Sequence, residues 1–309
     1  MHLARAAAVL AAWTLVPLAG CGLAPRLGTA PDAPAAVLAA GEIRALDHPG
    51  FARAEAQNGL WMPYATLESG GAGIYFLEPY DPTRIPVLFV HGIGGSPRDF
   101  RTMLAALDRS RFQAWVFHYP TGLRLHTASR ALRGILAELQ REYRFDTLFI
   151  AAHSMGGLVS RGYLVEALRD SAGGHARLLV TFSSPWEGNA WAQVGARFMP
   201  GPPGSWIDLS PESDFLVSLQ EPLRPVPHYV FFGFRRSPSL LTSQSSDGAI
   251  AMSSQIPAWI QEQAERCWGY DTDHVGILSH SAALGRFNAL LASEADRLRT
   301  NRVPAVLSR

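Results

Sequence analysis

The sequence predicts an α/β domain built on a doubly wound, mostly parallel central sheet with a cap inserted into it. Three observations predict this. Short apolar runs of strand length alternate with segments whose apolar residues recur at helical spacing, the pattern of a parallel sheet covered on both faces. One run, Pro86, Val87, Leu88, Phe89 and Val90, is apolar throughout, as expected of a strand buried on both sides. Finally, Ser154 stands between an apolar run and a helical pattern, with small residues two before and two after it. That is the mark of a sharp strand-to-helix turn.

Taken in order, two strand-like runs come first, residues 61–67 and 74–78, joined by Gly70 and Gly71. The run 86–90 follows and ends at His91-Gly92-Ile93-Gly94-Gly95-Ser96. Pro97 suits the start of the next helix, in which Phe100, Met103, Leu104 and Leu107 share one face. Residues 112–118 form another strand, and Leu132, Ile135, Leu136 and Leu139 mark an amphipathic helix. Residues 146–152 are the strand before Ser154, and 158–168 the helix after it. Strands at 178–182 and 228–234 complete the interior of the sheet. The last strand is 267–270, and a long helix over 282–298 closes the chain. Ligands of such sheets bind at the carboxyl ends of the strands, where both His91 and Ser154 fall.

Residues 185–225 break the alternation. They hold Trp186, Trp191, Phe198, Trp206 and Phe215, with Pro200, Pro202 and Pro203. Because they follow a strand whose end faces the site, they read as a cap that shapes an apolar acyl pocket. The alternative is a structural insertion packing its own aromatics.

Residues 1–20 read as a signal peptide: Arg5 supplies a basic start, and the apolar stretch 6–16 falls short of the about 20 residues a membrane span needs. Leu18-Ala19-Gly20-Cys21 resembles the bacterial lipobox. That resemblance implies a diacylated Cys21, held to a membrane of the bacterial cell envelope by methylenes contributing about 0.8 kcal/mol each. Gly22, standing where aspartate would signal inner-membrane retention, points to the outer membrane, with the protein facing the periplasm or the cell surface. Residues 21–40, rich in Ala, Pro and Gly, read as a tether, leaving 41–309 as the folded domain.

The net charge of +1 is spread along the chain and offers no nucleic-acid surface. Cys267 is the only cysteine after Cys21, so no disulfide forms within the domain. No metal-ligand spacing, glycine-rich phosphate loop or internal repeat is present, so neither a metal nor an organic cofactor is expected.

The chemistry follows from Ser154. A serine hydroxyl is a poor nucleophile at neutral pH. It needs an imidazole to take its proton and an acid to fix that imidazole's tautomer. The turn resembles the nucleophile elbow of the α/β-hydrolases, and that resemblance implies that acid and base follow the serine along the chain in that order. The acid read here is Asp247, in the polar turn Ser245-Ser246-Asp247-Gly248; Asp208 and Asp214 compete but lie within the cap. The base is His274, in the loop after the last strand, ahead of His280, which sits where the final helix begins. His153 packs under the loop, His118 and His228 are core histidines, and His48, His126 and His175 lack supporting context. The tetrahedral oxyanion would be met by the backbone N–H groups of Met155, next to the nucleophile, and Ile93, in the glycine-rich turn.

His91-Gly92-Ile93-Gly94-Gly95, Ala152-His153-Ser154-Met155-Gly156-Gly157, Ser246-Asp247-Gly248 and Asp273-His274 together resemble the bacterial lipase and esterase families of the α/β-hydrolase superfamily. The resemblance covers residue 86 to the C-terminus, with the cap not placed. It implies that Ser154 is nucleophile, His274 base and acid, and Asp247 its orienter, with Ile93 and Met155 as oxyanion donors. Ala152 departs from the usual glycine; some small secreted lipases also carry alanine there. The implied activity is hydrolysis of carboxylic esters with an apolar acyl group through an acyl-enzyme. A thioesterase, peptidase or acyltransferase would use the same residues. An inactive envelope scaffold is the reading from a different class, and the complete Ser/Asp/His set argues against it.

Overall fold

The central strands are apolar at most positions because both faces of the sheet are covered. In β3 (Ile85–Val90), β4 (Phe112–His118), β5 (Leu148–His153) and β6 (Ala176–Phe182), alternate residues enter two separate cores. Val87, Phe89, Val116, Phe149 and Val180 meet Met103 and Leu104 of α3 (Arg101–Ala105) and Phe287 and Leu291 of the long C-terminal helix. Leu88, Val90, Phe117, Ile150 and Leu179 meet Leu132 and Leu136 of α4 (Leu125–Tyr143) and Leu158 and Leu164 of α5 (Met155–Arg169). Each such side chain is stabilised by about 1.5–3 kcal/mol relative to exposure.

The computed structural model describes residues 38–170, 175–235 and 245–302. Contacts divide 1–35 from 36–309, so everything described belongs to one unit. The signal peptide read at 1–20, the anchor at Cys21 and the tether as far as residue 37 lie outside the described residues. Among the described residues no helix is long and apolar enough to cross a membrane.

The sheet has eight strands in the order β1-β2-β4-β3-β5-β6-β7-β8, adding β1 (Ala39–Ile43), β2 (Gly73–Phe76), β7 (His228–Phe234) and β8 (Arg266–Asp271) to those above. All pairs are parallel except β2 with β4. The mostly parallel, doubly covered sheet is therefore as expected from the sequence. Strand β1 was not foreseen, and it takes up Ala39 and Ala40, the last two residues of the stretch read as tether.

One element is corrected. Residues 61–67, read as a strand, are helical: α1 (Arg53–Trp61) ends there and α2 (Pro63–Glu68) begins. Pro63, whose fixed φ and missing N–H suit the first turn of a helix, starts α2. Helix α1 buries Ala56, Gly59 and Leu60, and Gly122 N–H donates to Gly59 O at 2.9 Å.

The cap segment carries α6 (Ala190–Phe198), α7 (Gly204–Asp208) and α8 (Asp214–Ser218). Its aromatics divide. Trp186 is buried and Trp206 packs edge-on to Trp61, whereas Trp191 and Phe198 are 80% and 72% exposed. The fully buried Arg161 of α5 staples the segment down, donating to Leu219 O at 2.6 Å and Glu221 O at 3.0 Å. Burial pushes its guanidinium down to about 10. Two short helices, α9 (Met252–Gln255) and α10 (Ala258–Gln263), precede β8, and α11 (Ser281–Arg302) ends the described fold.

Candidate active site

Strands β3 and β5 are neighbours, so the turns at their carboxyl ends meet. Ser154 follows β5 with φ 53° and ψ −128°, a backbone conformation costing a non-glycine residue about 1–3 kcal/mol. The surroundings enforce it: Ser154 N–H donates to Phe182 O at 2.8 Å and Ser154 O accepts from Gly157 N–H at 3.0 Å. The turn fits because its neighbours are small. A Cβ on Gly156 would stand 2.2 Å from Val90 O and 2.6 Å from His91 O, and one on Gly92 only 2.8 Å from Ser154 Cβ. The cross-sheet approach that sets the serine beside the glycine-rich turn thus depends on bare backbone on both sides.

The loops after β7 and β8 bring the other two residues to the same point. His274 Nε2 lies 2.9 Å from Ser154 Oγ, and His274 Nδ1 lies 2.7 Å from Asp247 Oδ2. Asp247 Oδ1 accepts Ala249 N–H at 3.0 Å and Ile250 N–H at 2.8 Å, and Asp247 O accepts His274 N–H at 3.1 Å. Burial alone would raise the Asp247 carboxyl. The hydrogen bond and charge of His274, with the two N–H donors, outweigh it and hold the group below its usual value. His153 Nε2 donates to His274 O at 2.8 Å; burial, the largest cause, pushes this imidazole down to about 3, so it supports the loop as a neutral ring. On the outer side, Asp273 accepts Gly276 N–H at 2.7 Å and faces Arg235 at 3.2 Å.

The competing residues are occupied elsewhere. Asp208 accepts Arg124 Nε at 2.9 Å and Leu125 N–H at 2.6 Å, capping α4, and Asp214 lies in the first turn of α8. His280 meets Ala283 N–H at the start of α11 and packs against Tyr270. His228 is buried, with Nε2 2.9 Å from Thr181 Oγ1.

A family model described as the alpha/beta hydrolase family matches residues 87–302, the span that contains this whole constellation. The chain belongs to the alpha/beta hydrolase family. Among solved structures, the chain is similar to the mature form of a Bacillus licheniformis lipase, at 18% identity over 71% of this chain and 97% of that one, with a TM-score of 0.56. A Listeria innocua protein matches at 16% identity over 67% and 94%, TM-score 0.51. A structure from a study of carboxylesterases of an ammonia-oxidizing Thaumarchaeon matches at 12% over 72% and 96%, TM-score 0.50. At these identities the likeness is one of fold. No curated protein matches the sequence significantly.

In this alpha/beta hydrolase the glycine-rich turn after β3 is rigidly held. Gly92 O accepts Gly95 N–H at 3.1 Å and lies 3.0 Å from His91 Nδ1, so the trans peptide aims the Ile93 N–H the opposite way. Gly94 N–H donates to Thr121 Oγ1 at 3.0 Å, and Tyr119 O–H to His91 O at 2.9 Å. Behind the turn, His91 Nε2 lies 3.3 Å from His118 Nδ1, and burial pushes the two rings down to about 4 and about 3. Both are therefore neutral at physiological pH. Met155 N–H is the first donor of α5 and has no partner within the helix.

A cavity of about 490 Å³ opens on Ser154 and His274. Its walls are Arg53, Ala56 and Gln57 of α1, the turn 92–96, Arg98, Asp99, His153 and Val275. No residue of 185–225 is among those lining this cavity. One wall comes from α1, which sequence reasoning missed because its neighbour was read as a strand; helical spacing of Ala56, Gly59 and Leu60 was the available signal. Arg98 is engaged by the carbonyls of Leu46, Asp47 and His48 at 3.2, 2.8 and 2.9 Å. Among the described residues no group of three His, Cys, Asp or Glu side chains is placed to hold a metal ion.

Proposed function

We propose that the protein is a membrane-tethered serine hydrolase that cleaves carboxylic esters with an apolar acyl group. The observation that carries this reading is the continuous relay from Ser154 Oγ through His274 to Asp247, with links of 2.9 and 2.7 Å. An ionised Asp247 keeps the proton on His274 Nδ1, leaving the Nε2 lone pair to take the Ser154 proton. Ser154 Oγ then attacks the ester carbonyl, and the N–H groups of Met155 and Ile93 meet the oxyanion, each such donor contributing about 2.7–4 kcal/mol. The imidazolium returns its proton to the departing alkoxide. Water repeats the cycle on the acyl-enzyme and releases the acid.

Ile93 and Val275, 37% and 60% exposed, offer apolar contact beside the serine. The same relay serves a thioester or passes the acyl group to an alcohol. The tether is the lipid anchor proposed at Cys21, in the bacterial cell envelope and at its outer membrane. Mass spectrometry of membrane-extracted protein tests that: a mature chain beginning at diacylglyceryl Cys21 supports it, and an uncut or unlipidated chain contradicts it.

The activity is tested with p-nitrophenyl esters of short and long acyl chains, using the full chain and Ser154→Ala. Hydrolysis lost in Ser154→Ala is expected, and the chain-length profile separates esterase from lipase. Undiminished hydrolysis by the variant would exclude Ser154 as nucleophile.

A further inference from the structure

Gln255 is fully buried at the end of α9, and none of the chemistry above uses it. Its amide makes three hydrogen bonds, both N–H donors included. Oε1 accepts Gly233 N–H at 3.0 Å, while Nε2 donates to Gly233 O at 3.0 Å and to Ile250 O at 3.2 Å. Gly233 pairs with β8 on one side, but on the other β6 ends at Phe182, level with Phe231. The glutamine amide stands where the next strand neighbour would be, satisfying a buried N–H and C=O that would otherwise be orphaned.

The third bond reaches the acid. Ile250 O also accepts Asp247 N–H at 3.2 Å, and Ile250 N–H donates to Asp247 Oδ1 at 2.8 Å. Asp247 itself rests on the same glycine, where a Cβ would come within 3.0 Å of Asp247 Cβ. The amide cannot drift with the loop it holds, because the preceding residue pins α9 to the chain leaving β6. Ser254 Oγ donates to Gly188 O at 2.7 Å and accepts Glu187 N–H at 3.2 Å.

We propose that Gln255 is a positioning residue that fixes the Asp247 carboxylate against His274 by clamping the Ile250 turn to the end of β7. The inference rests on the Ser154–His274–Asp247 reading above. A misplacement of about 1 Å in such a relay costs on the order of 100-fold in rate.

The test uses the full chain with Gln255→Met, which keeps volume and loses all three hydrogen bonds. Gln255→Glu is the milder companion: buried there, the acid takes up a proton and offers one O–H donor in place of two N–H donors. Expected for Gln255→Met is a fall in kcat of roughly 10- to 100-fold with KM within about threefold, and a smaller fall for Gln255→Glu. The downfield proton resonance of His274 Nδ1–H should broaden or move upfield in the same order. Both variants melting lower while keeping wild-type kcat and a wild-type resonance would overturn the proposal and leave Gln255 a core residue. The resonance reports the His274–Asp247 bond without substrate. If wild type hydrolyses no ester, it still decides Gln255, and the failure falls on the triad reading alone.

Discussion

Replacing Asp247 with asparagine perturbs one atom, and the surroundings dictate the consequence. Asp247 has two acceptor oxygens facing different donors: Oδ1 meets the N–H groups of Ala249 and Ile250, and Oδ2 meets His274 Nδ1–H. Asparagine has only one oxygen. Turned toward His274, it would set its NH2 against two backbone N–H groups and forfeit both bonds, about 1–3 kcal/mol for each donor left unmet. The oxygen therefore stays with Ala249 and Ile250, and the NH2 faces His274. His274 Nδ1 must then accept, its proton moves to Nε2, and the atom 2.9 Å from Ser154 Oγ can no longer take the serine proton. The side chain keeps its volume, so the fold is retained. A wrong tautomer of this kind lowers kcat by about 10⁴-fold, close to 5.5 kcal/mol of barrier. Stopped-flow or long-time-course hydrolysis of a p-nitrophenyl ester, with circular dichroism to verify folding, measures it. A folded Asp247→Asn enzyme within tenfold of wild type would refute the reasoning.

Two further outcomes follow from the same geometry. Gly156→Ala drives a methyl into two fixed carbonyls, at 2.2 and 2.6 Å, and is expected to destabilise the protein by about 2–3 kcal/mol, a loss of ~5–10 °C in melting temperature; an unchanged melting temperature contradicts it. Stability should also fall on mild acidification. His91, His118 and His153 are held neutral in the fold, with values near 4, 3 and 3, whereas the unfolded chain protonates near 6.5. Between those values the unfolded state binds more protons, so stability is complete above about pH 6.5 and drains away as pH drops toward 4. His91 alone accounts for on the order of 3 kcal/mol of that loss. The lowered Asp247 carboxyl acts further down, its contribution being present above the unfolded value of 3.8 and lost below it. Urea midpoints measured from pH 7.5 to 4 should decline steadily; a flat profile would contradict the neutral-histidine core.

The parts of the fold legible in sequence were those fixed by uniform burial. The strand at 86–90 could be read from its apolar continuity, which suits a strand covered on both faces. Ser154 was legible because the turn demands small residues two before and two after it, Ala152 and Gly156. What escaped has a common cause: it depends on partners distant in sequence. Strand β1 is held by main-chain pairing with β2, to which its side chains give little clue. The run 61–67 alternates enough to pass for a strand, and only Pro63 betrays the helix. Trp191 and Phe198 suggested an acyl pocket, yet whether an aromatic on α6 faces inward or outward is set by the elements beneath it. Gln255 sits in a four-residue helix without motif, and its role is visible only once Gly233 and Ile250 are adjacent.

The central claim is that Ser154 is an activated nucleophile. Its most direct test is intact-mass measurement after brief exposure of the full chain to a fluorophosphonate, followed by peptide mapping. One adduct is expected, on Ser154, absent from Ser154→Ala and far slower to form in His274→Gln. Folded protein that takes up no adduct, or Ser154→Ala protein labelled as readily as wild type, would contradict it.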